Sequence, residues 1–302
     1  MSLALRPYDF APAQPYRRRE LPSEISILTW NVDAYGPHRR ARIRLLLDAC
    51  AYNLRERPGH VPAPCVICLQ EVCVEALREL LAHGWVRTHF TVLGSVPRDD
   101  WPVGASHGCV ALVSHTVPLH QAHSVHFGRL SAQRRGALLL DVLMRGRGGT
   151  AVKLRLAGSH LEAGGGTMAR AMRAWQVAAV AAHVVGRHSV LGGVLLGDMN
   201  ALGQQDEEAF ARAGLVDAWT TASKAEVPSG GCTWWPRAGA VSVGREHAWP
   251  PGRLDRILRA PFVPAVELRR IKRVVAVTTP DGEHASDHCG LMCKVRIRRE
   301  LL

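Results

Sequence analysis

The sequence Gly193-Val-Leu-Leu-Gly-Asp-Met-Asn200 carries an apolar run, Val194 to Leu196, that closes at Gly197 and ends in a carboxylate and a carboxamide two residues apart. An apolar run broken by glycine reads as a buried strand that opens into a loop. With a side-chain period of two, Asp198 and Asn200 are expected to point to the same side. An acceptor and a donor-acceptor aimed together from a rigid strand end can hold one water molecule in a fixed orientation, as hydrolysis requires. Taken alone, Asp and Asn after Gly are turn formers, and what tips the reading lies elsewhere in the chain.

At 302 residues, 47% of them apolar, the chain can fill a large core, as one layered domain or as two half-domains. Lys and Arg number 38 against 26 Asp and Glu, a formal charge of +12. Such an excess suits a polyanionic partner, either nucleic acid or an anionic membrane surface. No signal peptide and no stretch of the ~18 apolar residues that cross a bilayer is evident. The expectation is a soluble intracellular protein, nuclear or cytoplasmic, with no stable membrane association. Cys65, Cys68 and Cys73 have a spacing that invites zinc, but the first two lie in an apolar strand-like run and no second pair completes four ligands. Buried reduced thiols are expected instead.

Residues 1–22, with four prolines and the triplet Arg17-Arg18-Arg19, read as an irregular basic arm ahead of a single domain over 23–302. Ile25 to Asn31 alternates as a strand, and a basic helix follows from Arg39 to Arg55 with Ile43, Leu46, Leu47 and Cys50 on one face. Cys65 to Leu69 reads as a buried strand ending in Gln70-Glu71, and Val74 to Ala82 as a helix closed by Gly84. Phe90 to Leu93, Cys109 to Val113, Ala137 to Met144 and Val152 to Leu156 form a predicted meander, the last strand leading into Gly158-Ser-His160. Gly164 to Gly166 make a hinge before a long helix, Met168 to Val185. A short helix near Asp206 to Ala213 follows the Asp198 strand. The Gly-, Pro- and Trp-rich segment 229–252, with Trp234, Trp235 and Trp249, is either a packed loop or a ligand wall. Arg253 to Leu258 and Leu291 to Arg298 close the chain as strands, the second placing Lys294, Arg296 and Arg298 on one face. Asn31, Glu71, His160, Asp198 with Asn200, and Asp287 with His288 thus recur at the ends of five strands, and Asp255 lies inside a sixth. Layered α/β folds gather such residues into a single mouth.

Leu28-Thr-Trp-Asn31, Leu69-Gln-Glu-Val72, Ser159-His-Leu-Glu162, Gly197-Asp-Met-Asn200, Arg253-Leu-Asp-Arg-Ile257 and Ser286-Asp-His288 occur in this order. As a set they resemble the endonuclease/exonuclease/phosphatase superfamily and look most like its 5′-tyrosyl-DNA phosphodiesterase branch. The resemblance implies a four-layer α/β sandwich, two packed mixed β-sheets flanked by helices. It implies one Mg²⁺, or Mn²⁺, held by Glu71 with Asn31 and Asp287 in support, since a hard ion takes oxygen ligands. Asp198 and Asn200 resemble the pair that orients and activates water, His160 and His288 the donors that stabilise the reacting phosphate, and Asp255 the carboxylate that holds His288.

The implied activity is hydrolysis of a phosphodiester in nucleic acid, with a 5′-phosphotyrosyl adduct at a DNA end, in DNA repair, as its most specific form. Sibling activities are abasic-site cleavage, 3′ exonuclease or deadenylase action, and hydrolysis of a phospholipid or inositol phosphate. A catalytically dead nucleic-acid-binding module would have no need of Glu71, Asp198, Asn200 and His288 together. On the substrate side Arg135 and Trp234 match the branch, whereas His107 stands where the branch has tyrosine. Leu202 replaces an arginine, and Ala163 and Gly165 replace polar and basic residues. The resemblance therefore implies a complete catalytic set behind an altered substrate grip.

Overall fold

The computed structural model describes residues 5–7, 21–54, 62–94, 97–184, 190–221, 231–235, 250–260, 265–274, 277–279 and 281–298. In chain order the first strands are β1 (Leu5–Pro7), β2 (Glu24–Asn31), β3 (Cys65–Cys73), β4 (Phe90–Leu93), β5 (His107–Ser114) and β6 (Leu119–His126). They continue as β7 (Gly136–Arg145), β8 (Ala151–His160), β9 (Gly192–Asp198), β10 (Val216–Asp217), β11 (Asp255–Arg259), β12 (Val266–Val274) and β13 (Gly290–Ile297). The helices are α1 (Arg39–Leu54), α2 (Val74–Ala82), α3 (Gly84–His89), α4 (Pro97–Asp100), α5 (Thr167–Val184), α6 (Gln204–Arg212) and α7 (Ala218–Thr221).

One sheet runs β1-β6-β7-β8-β9-β11-β10 and the other β12-β13-β2-β3-β5-β4. Both are mixed: β2 with β3 and β8 with β9 pair in parallel, and the other pairs are antiparallel. The two sheets face each other over a core that includes Ile25, Ile27, Val66, Leu138, Leu156, Val194, Leu196 and Ile257. Their outer faces pack under helices, Leu28, Trp30 and Ile67 against Ile43, Leu46, Leu47 and Leu77. On the other side Leu139, Ala157 and Leu195 meet Val177, Val180 and Phe210. This is the four-layer α/β sandwich that the motifs imply. It also explains the Val194 to Leu196 run, since a strand covered on both faces needs apolar residues at consecutive positions.

Four elements differ from the sequence-based expectation. The meander contains a further strand, β6, whose His120, Gln121, His123 and His126 mask its alternation. Edge strand β12 carries Glu267, Arg269, Arg270, Lys272 and Arg273, which read as solvent charge and not as sheet. Gly84 does not end the helical region but begins α3, after an extended His83. Within the expected arm, Leu5–Pro7 adds to the sheet by pairing with β6; Arg17 to Arg19, like Val185 and Trp249, lie outside the described residues. The eight cysteines are all unpaired, and burial pushes the Cys65 thiol up to about 12. Among the described residues no helix is long and apolar enough to cross a membrane.

Candidate active site

Strand register assembles the site. In the seven-stranded sheet His160 is paired with Gly136 on one side and Asp198 on the other, and Asp198 in turn with Asp255. Parallel strands β8 and β9 end at this edge, and antiparallel β11 begins there, so residues far apart in sequence stand in one row. Gly197 permits the row: its φ is +146°, and a Cβ there would lie 1.8 Å from the Ser159 carbonyl oxygen. In the facing sheet Asn31 pairs with Gln70, and a register shift between Leu69 and Val72 puts Glu71 in a bulge with φ 58°. The expected strand end at Leu69 is thus a bulge within a longer strand, the device that re-aims a side chain.

Asp198 and Asn200 do reach one cleft, but not by strand alternation. The strand stops at Asp198, and Asn200 takes a left-handed φ of 49°. Its backbone N–H donates to Asp198 Oδ1 at 2.9 Å, and its side-chain Nδ2 donates to the Leu161 carbonyl at 3.0 Å. A carboxylate that bonds its own backbone two residues on makes an Asx turn, which here replaces the extended geometry. Asn31 Nδ2 donates to the other carboxylate oxygen, Asp198 Oδ2, at 2.9 Å, while its Oδ1 accepts the Asp33 N–H at 2.9 Å. Burial raises the Asp198 carboxyl above its usual range against the lowering effect of His288, with Asp255 adding to the rise.

Two imidazoles flank Asp198 Oδ2, His160 Nε2 at 3.3 Å and His288 Nε2 at 3.8 Å. Their protonation differs for reasons visible in their partners. Arg135 Nη1 lies 2.8 Å from His160 Nδ1. A guanidinium only donates, so Nδ1 holds the lone pair and the proton sits on Nε2, facing Asp198. Burial, together with the charges of Arg135, His107 and His288, holds His160 well below the usual histidine range and keeps it neutral. His288 Nδ1 lies 2.8 Å from Asp255 Oδ2. Burial opposes its charge, but Asp255, then Asp198 and Asp287, raise it to about 10, so it is an imidazolium at neutral pH. Thr233 Oγ1 accepts the Leu254 and Asp255 N–H groups and anchors that carboxylate's strand.

Glu71, Asp198, Asp287 and His288 line one cavity of about 200 Å³ together with Asp33, Tyr35 and His160. Glu71 Oε2 accepts the Ala34 N–H at 3.0 Å, whereas Oε1 has His160 Nε2 only at 3.9 Å. Asp287 Oδ2 accepts the Trp234 indole N–H at 3.0 Å. An oxygen donor set with several carboxylates facing one imidazolium fits a hard divalent cation. Ligand-type atoms of Asp198, Asp255 and His288 also lie within 4.8 Å of one another. There, however, the imidazolium holds protons on both nitrogens and offers no lone pair. The oxygen set around Glu71 is the better fit.

The three residues expected on the substrate side, His107, Arg135 and Trp234, all line the mouth. His107 Nε2 and the Tyr35 hydroxyl are 3.1 Å apart, and the His107 ring stacks over His160 at 6.2 Å. Arg135, expected on the substrate side, is buried and bound to His160 and to Gln133 Oε1. Trp234 forms part of the wall beside Leu202 and Leu254. Several contributors went unseen in the sequence. Tyr35 is 72% exposed at the mouth. Arg42, read as part of a basic helix, is buried and donates to the carbonyls of Val32, Asp33, Gly36, Pro37 and Ala285, fixing the loop after Asn31. Glu162, quoted in a motif but given no role there, is buried too, accepting from Ser131 Oγ and Gln176 Nε2 and from the Gln133 N–H. Arg42 stands among the other basic residues of the Arg39 to Arg55 segment, so nothing in the sequence set it apart from its neighbours.

A model of the endonuclease/exonuclease/phosphatase family matches residues 28–288. No curated protein matches the chain in sequence. Among solved structures, D. rerio TDP2 complexed with single strand DNA product is similar at TM-score 0.66 and 19% identity, over 91% of this chain and 99% of that one. Truncated Caenorhabditis elegans TDP2 gives 0.61 and 18%, over 90% and 97%. The human Nocturnin catalytic domain with bound sulfate anion gives 0.58 and 17%, over 92% and 96%. At these identities the likeness concerns the fold.

Proposed function

The chain belongs to the endonuclease/exonuclease/phosphatase family, and we propose that it is a divalent-metal-dependent phosphodiesterase acting on nucleic acid, with a 5′-phosphotyrosyl DNA end as the leading substrate. The observation that carries this reading is Asp198 Oδ2 standing between a neutral imidazole N–H and an imidazolium, at 3.3 and 3.8 Å. That trio supplies a proton acceptor for water and two donors for the phosphoryl oxygens within one cleft.

Asp198, its basicity raised by burial, takes a proton from water as the oxygen attacks phosphorus. The new P–O bond forms as the ester P–O bond breaks, and the leaving oxygen departs opposite the attack. His160 through Nε2–H and His288 through Nε2–H donate to the oxygens on which charge accumulates. Asp255 keeps His288 charged, and Arg135 keeps the His160 proton on Nε2. Glu71, with Asp287 and Asn31, would hold Mg²⁺ or Mn²⁺, which when bound would supply Lewis-acid stabilisation of the phosphate charge. The chain's +12 charge and the solved D. rerio TDP2 complex with a single strand DNA product support nucleic acid as the substrate class. DNA-end repair is the role that this substrate implies.

The test is one panel in Mg²⁺: a 5′-phosphotyrosyl oligonucleotide, an abasic duplex, poly(A) and a phospholipid. Turnover of the tyrosyl substrate is expected. Robust turnover of another member with none of this one would move the enzyme to a sibling activity.

Replacing Asp255 gives a pH signature. His288, raised to about 10, carries its charge at all lower pH and loses it as pH rises through that value, and with it the stabilisation its pairing gives the fold. In Asp255→Asn the chief raising influence is gone while burial remains. The alkaline limb of kcat is then expected to move down by several pH units, with the rate at pH 8 falling roughly 100-fold for loss of one charged donor. An unmoved limb in a kcat–pH profile would remove the pair from the mechanism.

A further inference from the structure

Beyond the cleft, the outer face of the second sheet carries an unaccounted surplus of positive charge. Register places Lys294 and Arg296 on one face of β13, with Arg298 one residue past its end, its N–H bonded to the Ala265 carbonyl, and with Arg269 opposite Lys294 and Lys272 opposite Met292 on β12. Met292 packs under the helical layer, so these five cations share its outward face, while Cys293, Val295 and Ile297 point into the inter-sheet core. Helix α1 covers this face near the site and ends where Lys272 Nζ meets Asn53 Oδ1 at 3.1 Å. Past that point the face is open: Arg269, Lys272, Arg296 and Arg298 are exposed. Two carboxylates answer the five cations, Glu24 on Lys294 at 2.6 Å and Glu267 on both Arg298, at 2.9 Å, and Arg269, at 3.9 Å.

Edge protection accounts for part of this. An edge strand is shielded from chance pairing by charge and by bulges, and β12 has both, with a register shift between Arg269 and Lys272. But β13 is an interior strand, between β12 and β2, and needs no such protection. We infer that this face is a second, non-catalytic binding surface for the phosphate backbone of a nucleic acid. Cations two residues apart on a strand recur every ~7 Å, and three of them span about 13 Å. A duplex presents one phosphate per ~1.7 Å of axis, so that span meets several of them. An anionic membrane would attract the same charges, but none of the exposed large apolar residues lies on β12 or β13 to enter a bilayer. With about 3.3 Å of rise per residue, Arg296 to Arg298 lie about 20 to 26 Å along β13 from its start beside the cleft. A duplex held at both places must extend about six to eight base pairs at 3.4 Å each. Only this last statement rests on the proposed function; the surface itself does not.

The test is direct binding of a labelled duplex of about 30 base pairs, by fluorescence anisotropy in EDTA, across a salt series. In Arg269→Glu with Arg296→Glu, affinity is expected to fall about tenfold and the slope of log K against log salt to shrink by about 1.8, two phosphate contacts' worth. The milder pair Arg269→Ala with Arg296→Ala guards against misfolding and should show the same slope change. Turnover of a substrate of about two nucleotides, too short to reach, should be unchanged in both. Unchanged duplex affinity and slope in both variants would overturn the inference, as would their losing binding to anionic phosphatidylserine vesicles and not to duplex. If the wild type turns over no phosphodiester while duplex binding still depends on these arginines, the proposed function fails and the surface stands.

Discussion

Asp198→Asn is expected to lower kcat by roughly 10³- to 10⁴-fold, the upper range for loss of a general base, while leaving substrate affinity within a few-fold. The substitution keeps the shape of a side chain whose Oδ1 accepts the Asn200 N–H and whose Oδ2 accepts from Asn31 Nδ2. It removes the acceptor that water requires. Burial penalises the carboxylate form of Asp198, so its pKa is raised in the folded state, and the charged group costs folding free energy at neutral pH. A neutral amide relieves that cost, but its NH2 in place of Oδ2 gives up the bond from Asn31 Nδ2. The two effects oppose each other, so the thermal midpoint should move by only a few degrees while turnover collapses. Single-turnover kinetics beside a thermal melt would separate the two, and undiminished turnover would remove Asp198 from the mechanism.

Glu71→Gln is expected to be nearly as severe, at least about 100-fold in kcat, since Lewis-acid stabilisation of a phosphate is worth several kcal/mol. Glu71 sits in a bulge, one carboxylate oxygen held by the Ala34 N–H and the other facing the cleft. Glutamine can still accept that backbone bond, so the bulge should survive. What disappears is the charge. Mn²⁺ binding followed by electron paramagnetic resonance should weaken at least about tenfold, independently of any substrate, because one anionic ligand is gone. Wild-type metal affinity and an unaltered metal dependence of rate in Glu71→Gln would place the ion elsewhere, the trio of Asp198, Asp255 and His288 being the next candidate.

Much of the fold was legible because its signals are local. The Val194 to Leu196 run is apolar because the helical layer and the second sheet cover its two faces, Ile25 to Asn31 alternates as a strand, and α2 and β4 have the bounds that their patterns predict. Strand β12 was not legible, since an edge strand facing solvent tolerates charge at most positions, and its pairing with β13 supplies what its pattern lacks. The position of Arg42 was hidden for a related reason. A buried arginine is stable only when its donors are satisfied, and its five carbonyl acceptors come from a loop and a distant segment that the helix pattern does not contain.

The sequence by itself determined the family, the layered α/β class and the residue types available for chemistry, because motif order and hydrophobic period are properties of the chain alone. Only the tertiary structure decided which state and direction each of those residues has. Register set His160, Asp198 and Asp255 side by side, an Asx turn and not strand alternation brought Asn200 to the cleft, and Arg135 proved to be a partner of His160. Proton positions depend on which charges lie within a few ångströms and on how much water is excluded. Those distances exist only once the two sheets have closed on each other, and they make one histidine a cation and the other a neutral donor.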